Sequence, residues 1–354
     1  MRPSRSLNVV AMLSLAMFAT ACGDTAGVSS EPLEDSVSLI GVDYPRSDTD
    51  FWHSYIKYVP EAADELGVEV TTANSQNDIT NLISNLQTFI RQGVQGVVMA
   101  PQDTAAIAPS LDELATRKIP VVTIDTRPDS GQVFMVVRAD NRALGIRACE
   151  FLGTKLHGKG KVVMLQGSLD SINGRDRTEA FNACMKKNHP GITVFGEATE
   201  WKADVAAKRL RARLTAHPDI KGVYLQSSFA LAGTLQILKQ RGLQVPPTDP
   251  KHIFVVSNDG TPDELTNIQQ GLIDATVNQP ADQYAKYGIY YAKAAILGTT
   301  FKPGPTDHGS TIVQVGDKLL EDQLPTTLVT LDGATIAGQP TTKVDDKSLW
   351  ANNT

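Results

Sequence analysis

From Val37 onward the chain is a run of short β-branched segments spaced so that a helix fits between neighbours. They are VSLIGV (37–42), VEVTT (68–72), VQGVVMA (94–100), PVVTID (120–125), KVVML (161–165), ITVFG (192–196), GVYLQ (222–226), IFVVS (253–257) and DATVN (274–278). Strand, helix, strand at this spacing builds parallel sheets covered by helices on both faces. Between two of them, ITNLISNLQTFIRQG (79–93) sets Ile79, Leu82, Ile83, Leu86 and Phe89 or Ile90 on one helical stripe before Gly93 closes the helix. LRARLTAHPD (210–219) and residues 229–241 behave similarly. After VFMVV (133–137) comes Arg138-Ala139-Asp140-Asn141, a new helix begins and the alternation restarts, which divides the chain into two similar α/β lobes. Its 354 residues, 41% of them hydrophobic, suffice for two cores.

The N-terminus reads as an address. Arg2 and Arg5 precede an apolar run from Leu7 to Ala21, followed by Ala19-Thr20-Ala21-Cys22-Gly23. That is the order of a secretory signal with a small-residue cleavage site, and the run is shorter than the roughly 20 residues a membrane-spanning helix needs. Residues 1–21 are therefore expected to be a signal peptide. The junction resembles a bacterial lipobox, which implies that Cys22 is acylated and anchors the exported chain to the outer face of the cell membrane. Residues 22–36 are small, polar and acidic and read as a flexible tether.

Several chemistries are disfavoured. A formal net charge of −6 works against a nucleic-acid partner. Three cysteines and six scattered histidines offer no CxxC or HxxxH framework for a metal. Gly153 to Gly160 nearly matches a phosphate-binding loop, but Gly160 stands where a hydroxyl must be and the segment runs from helix into strand. No GxSxG elbow is present. Binding without turnover is expected, with no cofactor and no metal. Cys149 and Cys184 fall in consecutive helices and are either two buried thiols or, in an exported chain, a disulfide.

What remains is a set of aromatic and polar residues where strands end, the edge at which open α/β sheets present ligands. After the first strand come Asp48-Thr49-Asp50-Phe51-Trp52, and after the fourth Asp125-Thr126-Arg127. The second lobe supplies Arg175 and Arg177 at a helix mouth, Trp201, Gln226-Ser227-Ser228, Asn258-Asp259-Gly260 and Asn278-Gln279-Pro280. Carboxylates accept from hydroxyls, Arg and amides donate to them, and flat aromatic faces cover C–H patches, so the set suits a small neutral polyhydroxy ligand.

The segments ANSQND (73–78), ADNRALG (139–145), GRDRTEAF (174–181), LTAHPDIKGVYLQ (214–226), SNDGTPDE (257–264), DATVNQPADQ (274–283) and the end DDKSLWANN (345–353) carry a resemblance to the ribose-type periplasmic sugar-binding proteins of ABC importers. The resemblance implies a type I periplasmic binding protein fold: two doubly wound parallel-sheet lobes joined by a three-strand hinge, with crossings near 138–140, 278–280 and 309–311. Lobe 1 would hold 37–139 and 280–309, lobe 2 would hold 140–279 and 310–322, and 323–354 would be a tail over the lobes. It further implies that Phe51 and Trp52 form one aromatic wall, Trp201 the other, and that Asp125, Arg175, Asp259 and Gln279 hydrogen-bond a sugar. Arg127 and Ser227 join that set at positions where ribose binders carry Arg and Asn nearby. With Thr49 in place of an Asn, these departures widen the expected ligand to a pentose, a hexose or a sugar alcohol. The implied partners are that monosaccharide or polyol, the subunits of an ABC permease, and the membrane through the lipid anchor, with the protein acting as a monomer. A sugar sensor that signals to a membrane receptor is the alternative.

Overall fold

The structure, a computed structural model, describes residues 38–353. The expected signal peptide, Cys22 and the whole of the tether lie outside them. The first half alternates β1 (Leu39–Tyr44), α1 (Asp50–Leu66), β2 (Glu69–Asn74), α2 (Ile79–Gln92), β3 (Gly96–Met99), α3 (Ala108–Thr116), β4 (Val121–Ile124) and β5 (Met135–Ala139). The second continues with α4 (Asn141–Lys155), β6 (Lys159–Gln166), α5 (Ile172–Asn188), β7 (Gly191–Ala198), α6 (Ala203–Ala216), β8 (Ile220–Leu225), α7 (Leu231–Gln240), β9 (Phe254–Asp259), α8 (Pro262–Gln269) and β10 (Ala275–Asn278). Then come α9 (Ala281–Ile296), β11 (Gly304–Pro305), β12 (Thr311–Val315), β13 (Leu319–Leu324), β14 (Thr327–Thr330) and β15 (Thr342–Lys343).

Two sheets result, in the orders β11-β12-β13-β5-β4-β3-β1-β2 and β15-β14-β10-β9-β8-β6-β7. Their central strands are parallel and wholly buried, as in Gly96–Met99 and Val121–Ile124, because helices cover both faces. Helix α2 shows how the sequence specifies its own ends. Asp78 accepts from the Thr80 and Asn81 amides at the start, and Gly93 closes the end at φ 75°. Its stripe buries Leu82, Leu86 and Phe89, while Ile83 stays outside. Each such side chain removed from water contributes about 1.5–3 kcal/mol before entropy is counted. In the second lobe α4 and α5 pack together, and a disulfide joins Cys149 to Cys184 across a Cα–Cα distance of 6.2 Å.

The chain passes between sheets after β5, after β10 and between β13 and β14. The third passage therefore falls at residues 325–326 and not at 309–311. Residues 310–322, expected in lobe 2, extend the lobe 1 sheet instead: β12 is antiparallel to β13, and β13 runs parallel to β5 with Leu324 opposite Ala139. The expected tail from 323 likewise begins inside a strand, and β14 then pairs antiparallel with β10 of the other sheet. The physical reason lies in LLEDQL (319–324), whose acidic pair is neutralised inside the sheet. Glu321 is buried against Arg127 and Arg138, and Asp322 is buried under Tyr291, His308 and Ser310.

Candidate functional site

The carboxyl ends of both sheets face a cleft lined by Arg46, Thr49, Phe51, Trp52, Gln102, Asp125, Thr126, Ser171, Asn173, Arg177, Trp201, Ser227, Phe229 and Gln279. Thr49 caps α1, its hydroxyl accepting from the Trp52 amide at 3.4 Å, and this aims Phe51 and Trp52 from the first turn. Their rings meet edge to face, 5.1 Å between centroids. Trp201, at φ 55°, faces in from the other lobe, meets Phe229 edge to face and lies 5.7 Å from the Arg177 guanidinium. Gly167 is required beneath it, since a Cβ there would run into the indole ring.

Asp125 is the polar centre. It sits at φ 59°, a strained backbone held by its amide bonding to the Val137 carbonyl at 2.8 Å. Its Oδ2 accepts from Asn173 Nδ2 at 2.8 Å and from Thr126 Oγ1 at 3.0 Å, while the buried Oδ1 has no partner. Burial pushes its carboxyl above the usual range, opposed chiefly by the positive charge of Arg177. Arg177 is itself fully buried. Its Nε donates to Asn141, Nη1 to the Gln226 carbonyl and Nη2 to Gln279 Oε1. Gln279 is fixed from its other end by donating to Asp259 Oδ1 at 2.6 Å.

Among the residues expected from the sequence, Phe51, Trp52, Asp125, Trp201, Ser227 and Gln279 line the cleft and Arg127, Arg175 and Asp259 do not. Arg127 reaches Glu321 at 3.1 Å. Arg175 reaches Asp129 at 2.5 Å, and its place in the cleft is taken by Arg177. Two residues along a helix is about 200°, so the two arginines point to opposite sides. Asp259 is 1% exposed and saturated by protein donors, namely the Ser227 and Ser228 hydroxyls, the Ser228 amide and Gln279. It holds the groups that line the cleft. Asn173 was not singled out by sequence reasoning, yet it joins Asp125 to Arg138, donating to the first and accepting from the second at 2.7 Å. Its spacing of four from Arg177 was the available signal, because such residues share a helix face.

The cleft holds a fixed unpartnered acceptor, amide and guanidinium groups and aromatic walls. That arrangement can hold hydroxyls and C–H faces. Elsewhere Cys149, Glu150 and His189 converge, but the disulfide takes the sulfur.

Residues 40–300 match the family model described as periplasmic binding protein domain. The chain is 26% identical over 288 residues to the ribose import binding protein of Salmonella typhimurium, covering 81% of this chain and 94% of that one. It is 25% identical over 240 residues to the xylitol-binding protein of Mycolicibacterium smegmatis, covering 67% and 66%. Among solved structures, an ABC transporter solute binding protein from Mycobacterium smegmatis with bound glycerol superposes with a TM-score of 0.69 at 26% identity, over 75% of this chain and 90% of that one.

Proposed function

Because the chain belongs to the periplasmic binding protein family, a family of binding proteins and not of enzymes, we propose that it captures a small neutral sugar or sugar alcohol between its lobes and delivers it to an ABC permease. The observation that carries this reading is Asp125 Oδ1, an acceptor without a partner at the wall of a cleft flanked by Trp52 and Trp201. A buried acceptor left unpaired costs about 1–3 kcal/mol, and a ligand hydroxyl repays it. Ribose and xylitol, for which two relatives are named, carry vicinal hydroxyls on a short carbon chain, as does the glycerol bound in the solved structure, which supports a polyhydroxy ligand. Thr126 and Ser227 give short hydroxyls at two edges of the cleft. In the same reading Cys22 carries the lipid that tethers this monomeric protein to the outer membrane face beside the permease.

The test is a thermal-shift screen over pentoses, hexoses and polyols followed by calorimetric titration. A ligand at 100 times its Kd adds about 2.7 kcal/mol to the folded state. No response from any of these compounds, or unchanged binding by Asp125→Asn, overturns the reading. For the anchor, Cys22→Ser should release the protein from the membrane fraction, and a mature mass without lipid refutes it.

A further inference from the structure

We propose that Arg175 is a positioning residue, a latch at the cleft rim that holds the two lobes closed through Asp129 and Thr104 without touching ligand. Arg175 and Asp170 belong to the lobe of β6 and α5; Thr104 and Asp129 belong to the loops after β3 and β4 in the other lobe. Arg175 Nη2 donates to Asp129 Oδ1 at 2.5 Å and to Thr104 Oγ1 at 3.2 Å. Its Nη1 donates to the Leu169 carbonyl at 3.1 Å, which pins the guanidinium to its own lobe. The Thr104 hydroxyl is within donating reach of Asp129 Oδ2 (2.9 Å) and, across the cleft, of the Asp170 carbonyl (3.0 Å). The Asp129 amide donates to the Thr104 carbonyl at 2.8 Å, so the two lobe 1 partners form one rigid receptor.

Two features separate this cluster from the contacts on the cleft floor. Arg175 and Asp129 keep 31% and 37% of their side chains exposed, and neither lines the cleft, so no ligand competes for their bonds. Asn173 and Asp125, which also join the lobes, lie inside the cleft, where a ligand competes for the same groups. The latch therefore acts on the fraction of closed protein. Apparent affinity scales with that fraction, so a residue that never meets the ligand changes Kd. An ion pair this exposed is worth little singly and is screened by salt, and with the Thr104 bonds the expected loss is about three- to tenfold in affinity.

The inference rests on the cleft being the ligand site only for its second readout. The first is small-angle scattering from ligand-free protein at low and high salt, for wild type, Arg175→Ala, Asp129→Ala and the charge-swapped pair Arg175→Asp with Asp129→Arg. Melting curves check that each is folded. The single variants should have a larger radius of gyration than wild type at low salt, the difference should shrink at high salt, and the swapped pair should regain the compact form. The second readout is stopped-flow binding with ribose and xylitol as probes, where koff should rise about three- to tenfold in Arg175→Ala with kon unchanged or higher. Identical radii for wild type and single variants at low salt overturn the latch, whatever the probes do. A scattering response with no binding of any pentose, hexose or polyol in the thermal-shift screen supports the latch and overturns the function proposed for the cleft.

Discussion

At the scale of single residues, the cleft depends most on Asp125, whose buried Oδ1 has no partner. Asp125→Asn keeps the shape but puts an amide where Oδ1 now waits, and ligand affinity should fall by about 2 kcal/mol, over twentyfold, in calorimetric titration. Asp259→Ala should weaken binding as well, through Gln279 and the Ser227 turn, and unlike Asp125→Asn it should also lower the melting temperature of ligand-free protein. Gly167→Ala should displace Trp201 and cut affinity with little effect on the rest of the fold, read as a change in intrinsic fluorescence. Glu264 gives a pH prediction. It is fully buried behind Asp259, and burial first, then that neighbour's negative charge, push its carboxyl up to about 8. The native state then holds a proton that the unfolded chain has released, so stability falls as pH rises between about 4.5 and 8. Urea unfolding of Glu264→Gln across that window should lack this slope; a slope equal to that of wild type would refute the assignment.

At the scale of elements, α5 connects most of the site. Its cap, Ser171, accepts from the Asn173 amide, and its first turns send Asn173 and Arg177 into the cleft, Arg175 to the rim and Asp176 to Arg138. Its far end is tied to α4 by the disulfide. Replacing both cysteines by Ser should lower stability by about 3–4 kcal/mol on the chain-entropy account while leaving ligand affinity within twofold, since the bridge lies in a different part of the helix from the cleft. Denaturant titration beside a binding isotherm separates the two effects. Helices and central strands were legible because their apolar periods are local: Leu82, Leu86 and Phe89 announce α2, and VVTI announces β4. Strand β13 was not, because its Glu321 and Asp322 are buried by partners more than ten residues away in sequence. A charged pair looks the same in a one-dimensional pattern whether water or arginine surrounds it.

At the scale of the whole molecule, the last residues return to the binding wall. Trp350, in a 3₁₀ turn at Trp350–Asn352, is 2% exposed and meets the Phe51 ring edge to face at 6.3 Å. Trp350→Ala should cost about 3–5 kcal/mol of stability in denaturant titration and loosen Phe51, raising Kd for any ligand the screen identifies. Ligand binding should change the fluorescence of Trp52 and Trp201, which line the cleft, while Trp350 outside it serves as the constant background. Single Trp-to-Phe variants would reveal a misplaced cleft if only Trp350 responded.

Two α/β lobes, the parallel alternation that builds them and the aromatic and acidic residues gathered at strand ends were all present in the sequence. Each depends on spacing along the chain, and spacing is what a sequence records. Which of Arg175 and Arg177 enters the cleft depends on helix phase against a partner surface. That Asp125 keeps a free oxygen while Asp259 is saturated depends on donors brought from Ser227, Ser228 and Gln279 by separate elements. The third passage between lobes depends on Arg127 and Arg138 neutralising Glu321 inside a sheet. These were decided only by tertiary structure, because the energy of a buried polar group is set by its neighbours in space and not by its neighbours in the chain.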